Sequence, residues 1–406
     1  MKILAIDDQK LVLLPLQKRL RGLGYDVKTE TESNKGLLIY KQWKPDLVIL
    51  DISMPKISGI ELIKHIRITH QDNVPIVILS GKKDDNTIKD AFELGINDYM
   101  KKPLSLNEIC LRIKNIIGLP EKKSTLENTD SIIIQERCVG VVIPCYDEEN
   151  RLLSKEFTDF IDKNSGYHLC FVNDGSKDNT LDVLKNLKKG REDFISIYNC
   201  VKNGGKAEAV RLGMLHMAKM DDLDYIGFLD ADLSTDLADF DDLVSTIQNS
   251  KYKIVSGSRM SRMGADISKE SARKLISLTI NFIIRKILAM NFNDTQCGAK
   301  IFHKDIIQIA FSEKFITKWL FDVEIFLRVR KHFKLPKTLE IICEKPLKRW
   351  IHMDGSKLTM NDSMKIIFQL GKIAWTYTFR KKSAKSKICF TLNNNFLQKL
   401  NTNQYI

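Results

Sequence analysis

"IGFLDADLSTDL" (226–237) is an apolar run that ends abruptly in carboxylates. A strand covered on both faces reads as a continuous apolar stretch. Acidic residues just past its end lie on the sheet edge where ligands of open α/β folds bind. Asp230 and Asp232 are two residues apart, a spacing that lets two carboxylates meet one hard cation. The chain opens with a second strand of this kind, "KILAIDDQK" (2–10), which ends in Asp7 and Asp8. Two acidic strand ends more than two hundred residues apart imply two sheets and two sites.

Around the first acidic end, strand candidates at 2–6, 25–28, 47–50, 75–79 and 98–100 alternate with helical patterns such as "GIELIKHIRITH". That alternation predicts a doubly wound parallel α/β sheet. Asp51 ends the third strand, Ser80 the fourth, and Lys102 precedes Pro103 after the last. Three carboxylates on one edge repel unless a cation such as Mg²⁺ sits among them. A hydroxyl and an ammonium beside them suit a phosphoryl group on Asp51.

A second alternating series follows. It comprises "CVGVVIPCYDEEN", "YHLCFVNDGSKDNT", "FISIYN", "YIGFLDADLS" and "YKIVSGSR". Its strand ends present Asp147 and Glu148, then Asn173 and Asp174, then Asp230 and Asp232. "NGGKAEAV" (203–210) adds Gly204, Gly205 and Lys206 before a helix, where N–H groups and an ammonium can approach phosphates. A divalent ion on Asp230 and Asp232 would neutralise a leaving diphosphate.

At 406 residues the chain has room for two or three domains, and 43% hydrophobic with 28% charged residues describes a globular protein. The eight Cys form no Cys-x-x-Cys pair, which argues against a zinc ribbon or a disulfide framework. The net charge of +13 is concentrated at the end, since residues 345–406 hold 12 basic and 2 acidic side chains. No basic-then-apolar leader and no membrane-spanning run is visible, so a cytoplasmic protein is expected. The segment 274–290 and the basic "RKKSAKSK" (380–387) could place it on the inner face of the cell membrane. No helix-turn-helix follows the first unit, so nucleic acid is not an expected partner.

Residues 1–119 resemble the receiver domain of two-component response regulators, a flavodoxin-like (βα)5 fold. The resemblance implies that Asp51 accepts phosphate from a histidine kinase or phosphotransfer protein. It implies Mg²⁺ on Asp7, Asp8, Asp51 and the Ser53 carbonyl, phosphoryl contacts from Ser80 and Lys102, Tyr99 as the switch aromatic, and a cis bond at Lys102–Pro103. Residues 120–135 read as a linker, and 346–406 as a basic, amphipathic extension. Residues 136–345 resemble the Rossmann-like GT-A domain of family-2 glycosyltransferases. "SGSR" (256–259), "NDTQCGAKIF" (293–302), "KWLFDVEIF" (318–326) and "HMDGSKL" (352–358) are similar to the dolichyl-phosphate glucose synthase and polyprenyl-phosphate glycosyltransferase branch.

This second resemblance implies a donor site of Pro144, Asp147, Glu148, Asp174, Lys206, Asp230, Arg259 and Lys300, with Asp174 on the base and Arg259 and Lys300 on phosphates. Asp230 and Asp232 would hold Mg²⁺ or Mn²⁺, with Asp232 and Asp294 as catalytic residues. Gln296, Trp319, Asp322 and Glu324 would surround the sugar or acceptor, or the last two would orient a helix. The pattern departs from the family's at Asn173 and Ala207, and "SARKLISLTI" (271–280) lacks the Ser-Arg-Gly of some lipid-phosphate relatives, with Leu278 near the expected basic position. The expected activity is a phosphorylation-regulated, inverting hexosyl transfer from a UDP-glucose-like donor to a polyprenyl phosphate. A phosphate acceptor is already ionised, whereas a hydroxyl acceptor such as a polysaccharide would need a base, for which Asp294 is the candidate. A non-catalytic nucleotide-sugar sensor is the alternative of another class.

Overall fold

The computed structural model describes residues 1–81, 85–120, 133–259, 271–349 and 360–378. "HMDGSKL", "RKKSAKSK" and most of the 120–135 linker lie outside the described residues.

The first sheet is built from β1 (Lys2–Ile6), α1 (Lys10–Gly22), β2 (Asp26–Glu30), α2 (Ser33–Trp43), β3 (Leu47–Leu50), α3 (Gly59–Lys64), β4 (Ile76–Ser80), α4 (Asp85–Glu93) and β5 (Asp98–Lys101). A two-residue strand, β6 (Leu104–Ser105), and α5 (Leu106–Ile117) close it. The five main strands are parallel in the order β2-β1-β3-β4-β5, the flavodoxin-like order. β3 and β4 are buried along their whole length, which is why their sequences are uniformly apolar. The Lys102–Pro103 peptide bond is cis, as expected.

The second sheet begins with β7 (Ile133–Cys145), then α6 (Ser154–Lys163), β8 (Asn164–Asn173), α7 (Thr180–Lys188), β9 (Ile195–Asn199), α8 (Lys206–Met217), β10 (Tyr225–Leu229), α9 (Leu237–Gln248) and β11 (Ile254–Ser258). It is completed by α10 (Ser271–Leu288), β12 (Ala299–His303), α11 (Lys304–Phe311), α12 (Phe321–Phe333), α13 (Leu335–Ile341), β13 (Ile342–Pro346) and α14 (Met360–Thr378). The strand order is β13-β11-β12-β10-β7-β8-β9, and β12 runs antiparallel to both neighbours. The C-terminal ends of β7, β8, β10 and β11 and the start of β12 therefore share one edge. Packing of α8 on the sheet depends on Gly213, where a Cβ would lie 2.4 Å from Val142.

The expected boundaries shift in two places. β7 starts at Ile133, inside the expected linker, and pairs antiparallel with β6, so that β6, in the segment after β5, is hydrogen-bonded into the second sheet. The extension after 346 contributes α14, whose Leu370 and Ile373 are buried. Its Tyr377 hydroxyl lies 2.9 Å from Arg328 Nε, which donates to it. α10 and α14 pack together, and no described helix is long and apolar enough to cross a membrane.

Candidate functional site

At the first edge, Asp7, Asp51 and Lys102 are buried together. Lys102 Nζ lies 2.6 Å from Asp7 and 3.2 Å from Asp51. Burial alone would lower the ammonium pKa, but the two carboxylates outweigh it and raise it. Burial, and then the charge of Asp7, push the Asp51 carboxyl up; Lys102 and the Ser53 N–H oppose them. The Ser53 N–H donates to Asp51 at 2.5 Å. The Asp8 carboxyl is pushed up to about 7, first by burial and then by Asp7 and Asp51. One ammonium does not balance three crowded carboxylates, and an all-oxygen set of this kind fits a hard divalent cation. Asp7, Asp8 and Asp51 would hold it. Ser80 is buried at the end of β4 and Tyr99 is half-buried in β5, both beside this edge.

The second edge gathers Asp147, Glu148, Asp174, Lys206, Asp230, Asp232, Arg259, Asp294 and Asp322 at strand ends or helix starts. Asp230 pairs with Lys206 at 2.5 Å. Burial pulls the Lys206 pKa down, and Asp230 more than restores it. Asp232 Oδ1 accepts the Ser234 N–H at 2.9 Å, which fixes the turn after β10. Asp236 then caps α9, accepting from the Asp239 N–H at 2.7 Å. Glu148 Oε2 is buried and has no hydrogen-bond partner. Burial raises its carboxyl pKa, Arg151 opposes, and Asp232 raises it further. An orphaned carboxylate oxygen that feels the charge of Asp232 suits a divalent cation, which Asp230 and Asp232 would hold. Among the described residues, no group of three or more His, Cys, Asp or Glu side chains is already gathered in metal-ligand geometry. Lysines meet part of the carboxylate charge instead.

Several residues are engaged differently from the sequence-based expectation. Lys300 is fully buried, donates to the Cys297 carbonyl at 2.6 Å and pairs with Asp322 at 2.7 Å. It supports the site from beneath instead of facing a phosphate. Burial raises the Asp322 carboxyl pKa against the pull of Lys300. Asp174 accepts the N–H groups of Gly204 and Gly205, both at 2.8 Å. It shapes the Gly-Gly loop, and those two N–H groups are spent on it. Arg259 holds Asp294 by two side-chain bonds, 2.6 and 2.9 Å, and by its own N–H at 3.0 Å. Burial would raise the Asp294 carboxyl pKa, but Arg259 wins and holds it below the usual range.

The remaining residues lie around this rim. Asp147 accepts the Lys177 N–H at 2.8 Å, and Pro144 pairs with Val172 within the sheet. The Gln296 N–H donates to Asp294 at 3.1 Å. Trp319 is 70% exposed in the loop before α12, beside Lys318, whose side chain packs against Gly205. Glu324 is fully buried and accepts the N–H groups of Ile316 and Thr317, each at 3.0 Å. These bonds hold the loop before α12 in place.

Two supporting residues had no sequence signal as site residues. Glu344 accepts the N–H groups of Asn293 and Asp294, the latter at 2.7 Å, and so anchors the Asp294 loop. Gly298 lies directly against Asp230, where a Cβ would stand 2.0 Å from Oδ2. It falls within the quoted "NDTQCGAKIF", but nothing in that string shows the carboxylate above it.

Residues 3–114 match the response regulator receiver domain, and residues 140–309 match glycosyl transferase family 2. The dolichyl-phosphate beta-glucosyltransferase of Drosophila melanogaster is 31% identical over 236 residues, covering 54% of this chain and 69% of that one. The chain belongs to glycosyl transferase family 2. It carries a receiver domain at its N-terminus, and it is a glycosyltransferase of GT-A fold. The human dolichyl-phosphate beta-glucosyltransferase is 30% identical over 235 residues, covering 54% of this chain and 69% of that one. The Bacillus subtilis (strain 168) alkaline phosphatase synthesis transcriptional regulatory protein PhoP is 38% identical over 120 residues, 30% of this chain and 50% of that one. Among solved structures, the Mycobacterium tuberculosis glucosyl-3-phosphoglycerate synthase in complex with Mn²⁺, UDP and glucosyl-3-phosphoglycerate has a TM-score of 0.42 and 16% identity, covering 59% of this chain and 80% of that one.

In this glycosyltransferase, Gly298→Ala must displace the Asp230 carboxylate. Turnover is expected to fall by about a hundredfold, the cost of a misplacement near 1 Å, while the circular dichroism spectrum is retained. Steady-state rates of the two proteins check this.

Proposed function

We propose that this glycosyltransferase moves a sugar from a UDP-glucose-like donor to a polyprenyl phosphate, with inversion, at the cytoplasmic face of the membrane, under control of phosphorylation at Asp51. Residues 1–119 would be the receiver, 136–345 the catalytic domain and 346–406 a membrane-facing extension.

The observation that carries the acceptor class is the state of Asp294. A hydroxyl acceptor calls on a base, and Asp294 is bound by Arg259 and held below the usual carboxylate range. A phosphate oxygen is already ionised and needs positioning only. The names of the relatives point the same way. A divalent cation on Asp230 and Asp232 would take up the charge that builds on the leaving diphosphate. Lys206 would hold Asp230 in place, and the Glu324-anchored loop would hold Trp319 at the rim.

Membrane contact is supported by the packed pair α10 and α14. Phe282, Ile367, Phe368 and Trp375 are all exposed on it. Lys286 and Lys372 lie on the same helices, a mix of apolar and basic side chains suited to an anionic interface. The receiver site supports a histidine kinase or phosphotransfer protein as the source of the phosphoryl group.

The direct test incubates purified protein with Mg²⁺ or Mn²⁺, a polyprenyl phosphate and a panel of nucleotide sugars, with and without a small-molecule phosphoryl donor. A lipid-linked sugar is expected that Asp232→Asn abolishes, with a rate that changes on phosphorylation in wild type but not in Asp51→Asn. Product on a glycan but not on the lipid phosphate would move the acceptor to a hydroxyl. Replacing Phe368 and Trp375 together by Ser should lower partitioning onto phosphatidylglycerol vesicles by about tenfold or more, from the loss of two buried aromatic side chains. Co-sedimentation measures it.

A further inference from the structure

The loop that carries Trp319 hangs on two charged side chains of α12. Arg328 donates to three carbonyls at and just past the end of α11. Its Nη1 lies 2.8 Å from the oxygens of Ala310 and Glu313, and its Nη2 lies 2.9 Å from that of Lys314. The guanidinium also sits over the Phe315 ring, 4.4 Å from its centre. Glu324, one turn earlier in α12, accepts the next two N–H groups, those of Ile316 and Thr317, and the Thr317 hydroxyl at 3.1 Å.

This acid and this base are both buried, and they do not close on each other. Arg328 Nη2 and Glu324 Oε2 stand 3.8 Å apart, longer than a hydrogen bond. The Tyr377 hydroxyl of α14 bridges them. It accepts from Arg328 Nε at 2.9 Å and donates to Glu324 Oε2 at 3.3 Å. A buried ion pair repays its desolvation only when its remaining donors and acceptors are met. The Tyr377 hydroxyl meets one of each.

Two further contacts lead from the loop to the strand-end acids. Lys318 follows Thr317 directly, and its side chain lies on Gly205, where a Cβ would stand 3.3 Å from Lys318 Cδ. Gly205 has a φ of +85° and is the residue before α8, whose first residue, Lys206, pairs with Asp230. Lys318 therefore closes over the turn that aims Lys206.

We propose that Tyr377 is a positioning residue for the donor site. Its hydroxyl locks the Arg328–Glu324 pair, the pair fixes the loop before α12, and the loop sets Lys318 on the Gly205 turn and so Lys206 on Asp230. With the Asp230 edge as the donor site, on which this rests, the C-terminal helix helps to hold the nucleotide sugar by way of Arg328 and Glu324.

Tyr377→Phe keeps the ring and removes the hydroxyl. Binding of UDP to the full chain in the presence of Mn²⁺ is read by isothermal titration calorimetry. In Tyr377→Phe it is expected to weaken by about fivefold or more, the low end of typical coupling between sites. Hydrogen exchange at the Ile316 and Thr317 amides is expected to speed up with it. In turnover with UDP-glucose and a polyprenyl phosphate, the loss is expected in the donor KM with kcat kept, as for an interaction that holds ground and transition states alike. Lys318→Ala should weaken UDP binding too. The double variant should lose no more than the larger single effect, because both changes act through one contact. Ile373→Val trims the buried packing of the same helix and gauges general loosening of α14. Unchanged UDP affinity in Tyr377→Phe, a loss confined to kcat, additive losses in the double variant, or an equal loss in Ile373→Val overturns the proposal. Should Tyr377→Phe fail to fold, Lys318→Ala decides: full UDP affinity overturns the route through Gly205, and weakened affinity supports it. Absence of UDP binding in the wild-type chain would instead remove the donor reading itself.

Discussion

Lys102 between Asp7 and Asp51, and Lys206 on Asp230, answer the same physical demand. A parallel sheet delivers its strand ends to one edge, and acids placed there are partly dry and close together. Acids held together there disfavour their charged forms unless positive charge offsets them. The chain supplies part of it with lysines and leaves the rest unmet. Burial first, and neighbouring carboxylates after it, raise the carboxyl pKa values of Asp8 and Glu148, and one buried Glu148 oxygen has no hydrogen-bond partner. Both sites keep acidic charge that a divalent cation would offset.

Around the second site the same rule builds layers. Asp322 and Lys300 form a buried pair below the Lys206–Asp230 pair, and Gly298 leaves the space that Asp230 fills. Arg259 and Glu344 hold the Asp294 loop from its side chain and from its backbone. Glu324 and Tyr377 connect the Trp319 loop to α14, so the C-terminal helix is mechanically part of the catalytic unit. A sugar nucleotide bound here would rest on a frame whose charges are mostly fixed before it arrives, which is the condition for electrostatic preorganisation.

The receiver was legible in the sequence because Asp7 and Asp8, Asp51, Ser80 and Lys102 fall at the ends of β1, β3, β4 and β5, and strand order alone brings them together. The GT-A edge was legible for the same reason at Asp230, Asp232 and Glu148. What the sequence hid is pairing. Lys300 reads as a free cation, yet it sits on a strand interior face and is consumed by Asp322 and a carbonyl. Asp174 follows a strand as a nucleotide ligand would, yet its oxygens close the Gly-Gly loop. Asp294 reads as a base until Arg259 is seen on it. The contact of Gln9 with Asp224 spans 215 residues and two sheets, and no local pattern encodes it.

Two strand-end carboxylate clusters would serve two separate phosphate chemistries. A crystal of the full chain grown with UDP and Mn²⁺ tests it most directly, by anomalous scattering at the manganese edge. Two peaks are expected, one against Asp230 and Asp232 with the UDP diphosphate beside it, and one among Asp7, Asp8 and Asp51. UDP and Mn²⁺ bound away from Asp230 and Asp232, or no peak in the Asp51 pocket at saturating ion, would contradict it.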